Sequence, residues 1–420
     1  MKYTRPIILS LLLTCLTASA QQTYGTYIQE DTRRAGAVFA PYDMSLRVDT
    51  GAPRGYSPVY ISHFGRHGSR FMSDGVKDQK FLSIMQKADT LGILTTDGKE
   101  MLRRTEAICK QAEGRYAQLT ELGQSEHKAL AQRMFQRFPK VFKVKAGAVR
   151  AESSVAPRCL VSTSAFTNAL RGCAPQLEFS FAAGDRYQSY IAPEGTVDIV
   201  QKMARGTADS LTRSHSKGDK LFARTFTDTE KAAALASPGT FANLAYGLGC
   251  EAICIGDDEL DLFKFFDIDE LEGYAIVRNN LSFAWSGRTL ETGDVRARSA
   301  APLLRRIVEK ADEALSEGHI VADLCFGHDS NVLPLACLMG IDGADQDISF
   351  VDAHKTWRAD EHLCMASNIQ LVFYRDRKGH VLVKILENER ERLLHIGISP
   401  VQGCYYDWEA LRSALLLKCA

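Results

Sequence analysis

The sequence predicts an α/β protein: a mainly parallel sheet flanked by helices, with a smaller, mostly helical insertion domain. Three observations carry this expectation. Short runs of β-branched and aromatic residues stop at glycines, amphipathic stretches of helical period follow them, and the same alternation returns in the last third of the chain.

Residues 59–64 are rich in β-branched and aromatic side chains and stop at Gly65, which predicts a strand. Residues 122–138 space Leu130, Met134 and Phe138 four apart and run into Pro139, the signature of an amphipathic helix with a defined stop. Residues 141–150 then read as extended and 158–170 as helix. Leu303, Leu304, Ile307, Val308, Ala311 and Leu315 make one apolar helix face closed by Gly318. Residues 319–326 read as a strand ending at Gly327, with a further helix from about Val332 that tolerates Pro334 in its first turn. Residues 369–374 and 381–386 flank a polar turn and predict a hairpin. Between 185 and 295 short helical pieces alternate with acidic, aromatic stretches such as 257–266. The expected organisation is a core of residues 21–184 and 296–420, interrupted by a helical insertion or lid at 185–295.

The first twenty residues are expected to be a signal peptide. Lys2 and Arg5 precede an apolar run too short to span a bilayer, and Ala18-Ser19-Ala20 forms a small-residue cleavage site. Cleavage near Ala20 implies export to the periplasm or the exterior, with no stable membrane insertion. Removing Lys2 and Arg5 from 51 basic residues leaves 49 against 51 acidic ones. A chain so balanced offers no basic field for nucleic acid, so any anionic ligand must be held by a local cluster of arginines. Ten of the 11 cysteines lie beyond the leader. Export permits disulfides, Cys250 and Cys254 are close enough in sequence to pair, and Cys325 and Cys337 read as buried thiols. No metal-ligand spacing is present, so neither a metal nor another cofactor is expected.

Three segments fall where a strand is predicted to end and a helix to begin, the edge of an α/β sheet where ligands bind. They are Arg66-His67-Gly68-Ser69-Arg70, the stretch from Arg158 to Ser162, and His328-Asp329 after Gly327. Phosphoryl transfer without a metal needs a nucleophile, cations for the non-bridging oxygens and an acid for the leaving oxygen. Neutral imidazole serves as nucleophile, arginine forks meet phosphate oxygens in pairs, and a carboxyl group supplies the proton if its pKa is raised.

The first segment resembles the RHGxR signature of the histidine phosphatase superfamily, and His328-Asp329 resembles the HD motif of its histidine acid phosphatase branch. Leu119-Thr120-Glu121-Leu122-Gly123 is similar to that branch's LTxxG segment, and 158–162 to the segment carrying its third phosphate-binding arginine. The resemblance runs from about residue 40 to the end. It implies a phosphoglycerate-mutase-like core and a phosphoric monoester hydrolase working through phosphohistidine on a small phosphorylated substrate. His67 would be the nucleophile and Asp329 the general acid, with Arg66, Arg70, Arg158 and His328 holding the phosphoryl group. Residues 60–65, the stretch after Gly327 and 405–408 further resemble multiple inositol polyphosphate phosphatases and phytases. That subgroup usually has His-Ala-Glu where this chain has His328-Asp329-Ser330, and a proline where Met72 stands. Lys77, Lys80, Arg103, Arg104 and Arg186 are candidates for gripping further phosphates, each also readable as surface charge.

Other readings stay open at this point: a broad-specificity acid phosphatase for sugar phosphates or nucleotides, a phosphoglycerate-mutase-like transferase, or a non-catalytic phosphate-ligand binder. His63 reads as structural because it shares a strand face with Ile61 and Gly65. Arg150 reads as a surface charge or a salt-bridge partner, and His127, His215, His354 and His362 as structural or solvated. The acidic stretch 257–261 lacks calcium-loop spacing and reads as a solvated face.

Overall fold

The computed structural model describes residues 23–45, 49–191, 210–211 and 214–420. The expected leader at 1–20 lies outside them, as does part of the expected insertion. Eight strands form one mixed sheet: β1 (Ser57–Arg66), β2 (Ala148–Ser153), β3 (Glu178–Ala183), β4 (Ile320–Gly327), β5 (Asn368–Arg375), β6 (Val381–Glu387), β7 (Arg390–Arg392) and β8 (Tyr405–Asp407). Their order is β3-β2-β4-β1-β5-β6-β7, with β8 also on β6. The first four run parallel, and β5 begins an antiparallel half. The result is the α/β fold expected, with helices on the sheet faces.

The principal helices are α1 (Tyr24–Glu30), α2 (Val76–Thr90), α3 (Thr96–Ala112), α4 (Glu121–Arg137), α5 (Pro157–Cys173), α6 (Pro238–Ile255), α7 (Ile268–Ser286), α8 (Ala301–Glu317), α9 (Asp329–Leu338) and α10 (Trp408–Lys418). Their ends follow local chemistry. Thr120 caps α4 by accepting from Gly123 N at 3.2 Å. Gly318 ends α8 in the left-handed conformation, at φ 72°. The helix expected near Val332 starts three residues earlier, at Asp329, so Pro334 lies inside it rather than in its first turn. Proline cannot donate to the carbonyl four residues back, and that oxygen, on Ser330, accepts instead from Arg296 Nη2 at 3.2 Å. The stretch 141–150 is not one extended run: it begins in the last two residues of a short helix, Pro139–Phe142, and β2 starts only at Ala148.

Three apolar clusters hold the layers. One packs α8, α9 and α10 on one sheet face, and another packs α4 and α5 on the opposite face. A third lies away from the sheet and joins Phe81, Met85, Met101 and Ile108 of α2 and α3 to Phe241, Leu248, Leu271 and Tyr274 of α6 and α7. All ten described cysteines are free thiols, Cys250 and Cys254 included. Among the described residues no helix is long and apolar enough to cross a membrane.

Candidate active site

Strand register assembles the site. Arg66 ends β1 directly beside Gly327, the last residue of β4, and Ser153 ends β2 beside Phe326. The carboxyl ends of three adjacent parallel strands therefore deliver all three sequence segments to one edge. His67 N donates to Gly327 O at 3.0 Å, Ala366 N donates to His67 O at 3.0 Å, and Arg66 N donates to Ser367 O at 2.8 Å. The backbone of the nucleophile candidate is pinned from both sides.

The loop that follows fits only around two glycines. A Cβ on Gly68 would stand 2.5 Å from Gly123 O, and one on Gly123 would stand 2.2 Å from Ser69 O. The N-terminal turn of α4 thus presses backbone to backbone against the loop. Thr120 Oγ1 reinforces the contact by donating to Ser69 O at 3.0 Å.

His67 is 2 % exposed, and its Nδ1 lies 2.9 Å from Gly68 O. A carbonyl only accepts, so Nδ1 carries the proton. Burial, then Arg66 and Arg70, push this imidazole well below the ordinary histidine pKa. The ring is neutral, and its Nε2 keeps a lone pair.

Arg66 Nη1 donates to Val38 O and Leu363 O, both at 2.6 Å, and Nη2 lies 3.0 Å from Asp329 Oδ2. Ala37, the residue before Val38, is a non-glycine residue at φ 52°. Arg70 Nη1 donates to Phe71 O at 2.7 Å, and its guanidinium lies 5.8 Å from the centroid of Phe39. Arg158 Nη2 lies 3.4 Å from His328 Nδ1. Guanidinium only donates, so His328 accepts at Nδ1 and donates its Nε2 proton to Ser154 Oγ at 3.0 Å. Burial, then Arg158, push His328 down to about 4. The rings of His67 and His328 meet edge to face at 5.8 Å. The Nε of each of Arg66, Arg70 and Arg158 is buried with no acceptor among the described residues.

Asp329 opens α9 and accepts from Ser330 N at 3.0 Å, while its side chain is 37 % exposed. Burial works to raise its pKa, but Arg66 and its neighbours outweigh that and hold the carboxyl below the ordinary value. It is a carboxylate while the arginines face it alone.

The residues proposed for further phosphates are dispersed. Arg103 and Arg104 both bind Glu100, and Arg104 also donates to Asp261 O at 2.9 Å. Arg186 turns to Tyr187, and Lys77 and Lys80 lie on the exposed face of α2. Arg150 binds Asp323 at 2.8 Å, as the salt-bridge reading expects. His63 and His127 pack with Phe166 and Phe326, and burial pushes both to about 3.

Several contributors escaped the sequence reading. Glu126, 0 % exposed, accepts from Ser69 N at 2.7 Å, Ser69 Oγ at 2.8 Å and Tyr42 N at 3.0 Å, and so shapes the loop from behind. Its place three residues after Gly123, on the helix face that meets the loop, was the available signal. Ser162 Oγ accepts from Gly68 N at 3.1 Å. The Val38 and Leu363 carbonyls carry no sequence signal at all. A cavity of about 990 Å³ opens beside residues 31–45, but none of the six motif residues lines it. Chemistry, not cavity size, locates the site.

Comparison with known proteins identifies the family. The family model described as "Histidine phosphatase superfamily (branch 2)" matches residues 64–389. The multiple inositol polyphosphate phosphatase of Bifidobacterium longum, solved with phosphate, is 19 % identical over 91 % of this chain and 97 % of its own, with a TM-score of 0.73. The phytase from D. castellii is 12 % identical over 92 % of this chain and 85 % of its own, with a TM-score of 0.69. Hafnia alvei phytase, solved with tartrate, is 12 % identical over 88 % and 99 %, with a TM-score of 0.53. At such identities these likenesses speak for the fold. No curated protein sequence matches the chain. With the family model spanning most of the sequence, the chain belongs to branch 2 of the histidine phosphatase superfamily, and it is a phosphomonoester hydrolase.

Proposed function

We propose that the chain is an exported histidine-type phosphatase that acts through a phosphohistidine at His67, with inositol polyphosphates such as phytate as leading substrates. One observation carries the mechanism. A neutral imidazole with its Nδ1 proton spent on Gly68 O stands among three arginines whose buried Nε donors are unused. Nε2 attacks phosphorus, the bond to the leaving oxygen breaks, and Asp329 supplies that oxygen's proton. A phosphoryl dianion draws Arg66 and Arg70 toward itself, which removes the cations that keep Asp329 ionised and raises its pKa as the acid is needed. Water then attacks the phosphohistidine with Asp329 as base. The leader-like residues 1–20 support export.

Two experiments test the reading. Rapid quenching with a labelled phosphomonoester should trap phosphate on His67, and His67→Ala should lose turnover by a factor on the order of a thousand or more. Full activity in that variant ends the assignment. For the substrate, phytate should be hydrolysed better than glycerol phosphate at low salt, an advantage that screening erodes as salt rises. The B. longum protein has also been solved with inositol hexasulfate, which keeps this substrate class in front. A second reading, a broad-specificity acid phosphatase, is favoured by the engagement of Arg103 and Arg104 with Glu100. Equal rates on phytate and glycerol phosphate would establish it.

A further inference from the structure

Two buried carboxyl groups lie just behind the phosphate pocket, and the mechanism uses neither. Asp78, in the first turn of α2, is 3 % exposed, and Glu251, on α6, is 0 % exposed. Glu251 Oε1 accepts from Met72 N at 3.1 Å, two residues beyond Arg70. α2 and α6 pack together through Phe81, Phe241 and Leu248, and this packing brings the two carboxyl groups close enough for each to act on the other's charge. Yet Asp78 Oδ2 and Glu251 Oε2 are buried oxygens that receive no donor from the described residues. Ionised carboxylates only accept, and a proton held between the two groups would supply the donor that these oxygens lack.

We propose that Asp78 and Glu251 share a single proton, and that this proton fastens the Arg70 loop to the helical layer, making the two carboxyls a positioning pair for the phosphate pocket. The inference rests on Arg70 being a phosphate ligand, as proposed above. The surroundings favour one charge over two. Asp74 and the exposed Lys77 face the pair from the start of α2, Cys109 from α3, Tyr116 from the loop after it, and Arg70 from the catalytic side. A Cβ on Gly75 would stand 2.4 Å from the Tyr116 ring and hydroxyl, so this glycine lets the ring close over Asp78. Burial, then Asp78, raise Glu251 to about 8, and burial raises Asp78. Near neutrality the pair carries one charge. Above pH 8 a second charge appears where no water reaches, and repulsion weakens the hold on Met72 N and with it the placement of Arg70.

The linkage has a definite sign. Glu251 is raised in the folded state from an ordinary 4.5 to about 8, so folding favours its protonated form. That stabilisation is complete at acid pH, is lost progressively as pH rises between those two values, and changes no further beyond. Glu251→Gln keeps a neutral hydrogen-bonding side chain at every pH and removes this dependence.

Binding of inorganic phosphate by calorimetry from pH 6 to 9.5, together with melting curves from pH 4 to 9, tests the proposal on the full-length mature protein. The parent's phosphate Kd relative to that of Glu251→Gln should be near unity at pH 6 and rise several-fold through a midpoint near pH 8. The parent's melting temperature should fall relative to the variant's between pH 5 and 8. Asp78→Asn should reproduce both results, which covers the case of one variant folding poorly. A flat Kd ratio overturns the positioning role even if the melting curves diverge, and parallel melting curves overturn the shared proton. If neither protein binds phosphate at pH 6, the pocket assignment has failed instead, and the melting curves still decide the proton.

Discussion

At the antiparallel end of the sheet, Glu389 is 1 % exposed and pairs with both Arg133 and Arg137. Asp49 pairs with Arg137 and Lys384, Lys384 also meets Glu391, and Glu387 meets Arg392 and His362. Every arginine and lysine named there has a carboxylate, and Arg137 and Lys384 have two each. At the carboxyl edge of the parallel half, Arg66 alone of Arg66, Arg70 and Arg158 has a carboxylate at contact distance among the described residues, Asp329. Both regions bury charge, and burying charge without compensation costs several kcal/mol. Compensated charge fixes the fold. The under-compensated cluster stores affinity for an anion that completes it.

The largest expected effect comes from deleting the one carboxylate in the under-compensated region. Asp329→Asn should bind inorganic phosphate at least as tightly as the parent yet hydrolyse alkyl phosphates about 10²–10⁴-fold more slowly, with p-nitrophenyl phosphate much less affected. Comparable losses on both substrates would assign the proton to another group. Removing a carboxylate from the compensated network should act the other way. Glu389→Ala should destabilise by roughly 3–5 kcal/mol in denaturant titration, because it leaves Arg133 without its carboxylate and Arg137 with Asp49 alone, while kcat/KM of the folded protein stays within about twofold. A kinetic loss larger than the stability loss would show that the two regions are coupled.

The smallest effect is expected from thinning the arginines. Arg158→Ala should weaken phosphate binding by about 10–100-fold, the worth of a charge-assisted hydrogen bond, without lowering the melting temperature. It should also add an acid limb to the pH profile. Burial, Arg66 and Arg70 depress His67 most and Arg158 adds to them, so its removal raises the imidazole and brings its protonation, and the loss of the proposed nucleophile, to a less acid pH. A profile as flat at low pH as the parent's would show that burial with Arg66 and Arg70 suffices to keep His67 neutral.

Much of the α/β framework was legible because its strands and helices are long and periodic. The strand at 59–64 and the helices at 122–138, 158–170 and 303–315 lie inside β1, α4, α5 and α8 to within a residue or so. His67, Arg66, Arg70, Arg158, His328 and Asp329 were legible as one cluster because each follows or flanks a strand end, and parallel register turns that shared position into proximity. What supports them was not. Arg66 is held by main-chain oxygens of Val38 and Leu363, and any residue type supplies a carbonyl. Glu251 reaches Met72 N across 179 positions of sequence, a contact only tertiary packing creates. The spare arginines misled because sequence nearness to a motif says nothing about a competing carboxylate such as Glu100 one helical turn away.

The segment from Thr23 to Ser45 precedes the stretch matched by the family model, which starts at residue 64. It nevertheless contributes the Val38 oxygen to Arg66, the Phe39 ring to Arg70 and the Tyr42 amide to Glu126, and Tyr42 Oη reaches Glu389 at 3.1 Å. It therefore fastens the catalytic loop and the compensated network together, like a belt across both. Anyone trimming, tagging or permuting this gene at the edge of that matched stretch would keep the Arg66–Arg70 and His328-Asp329 motifs and still discard the buckle. Such a fragment would pass for a phosphatase in any alignment while its Arg66 had lost a wall of the socket that aims it.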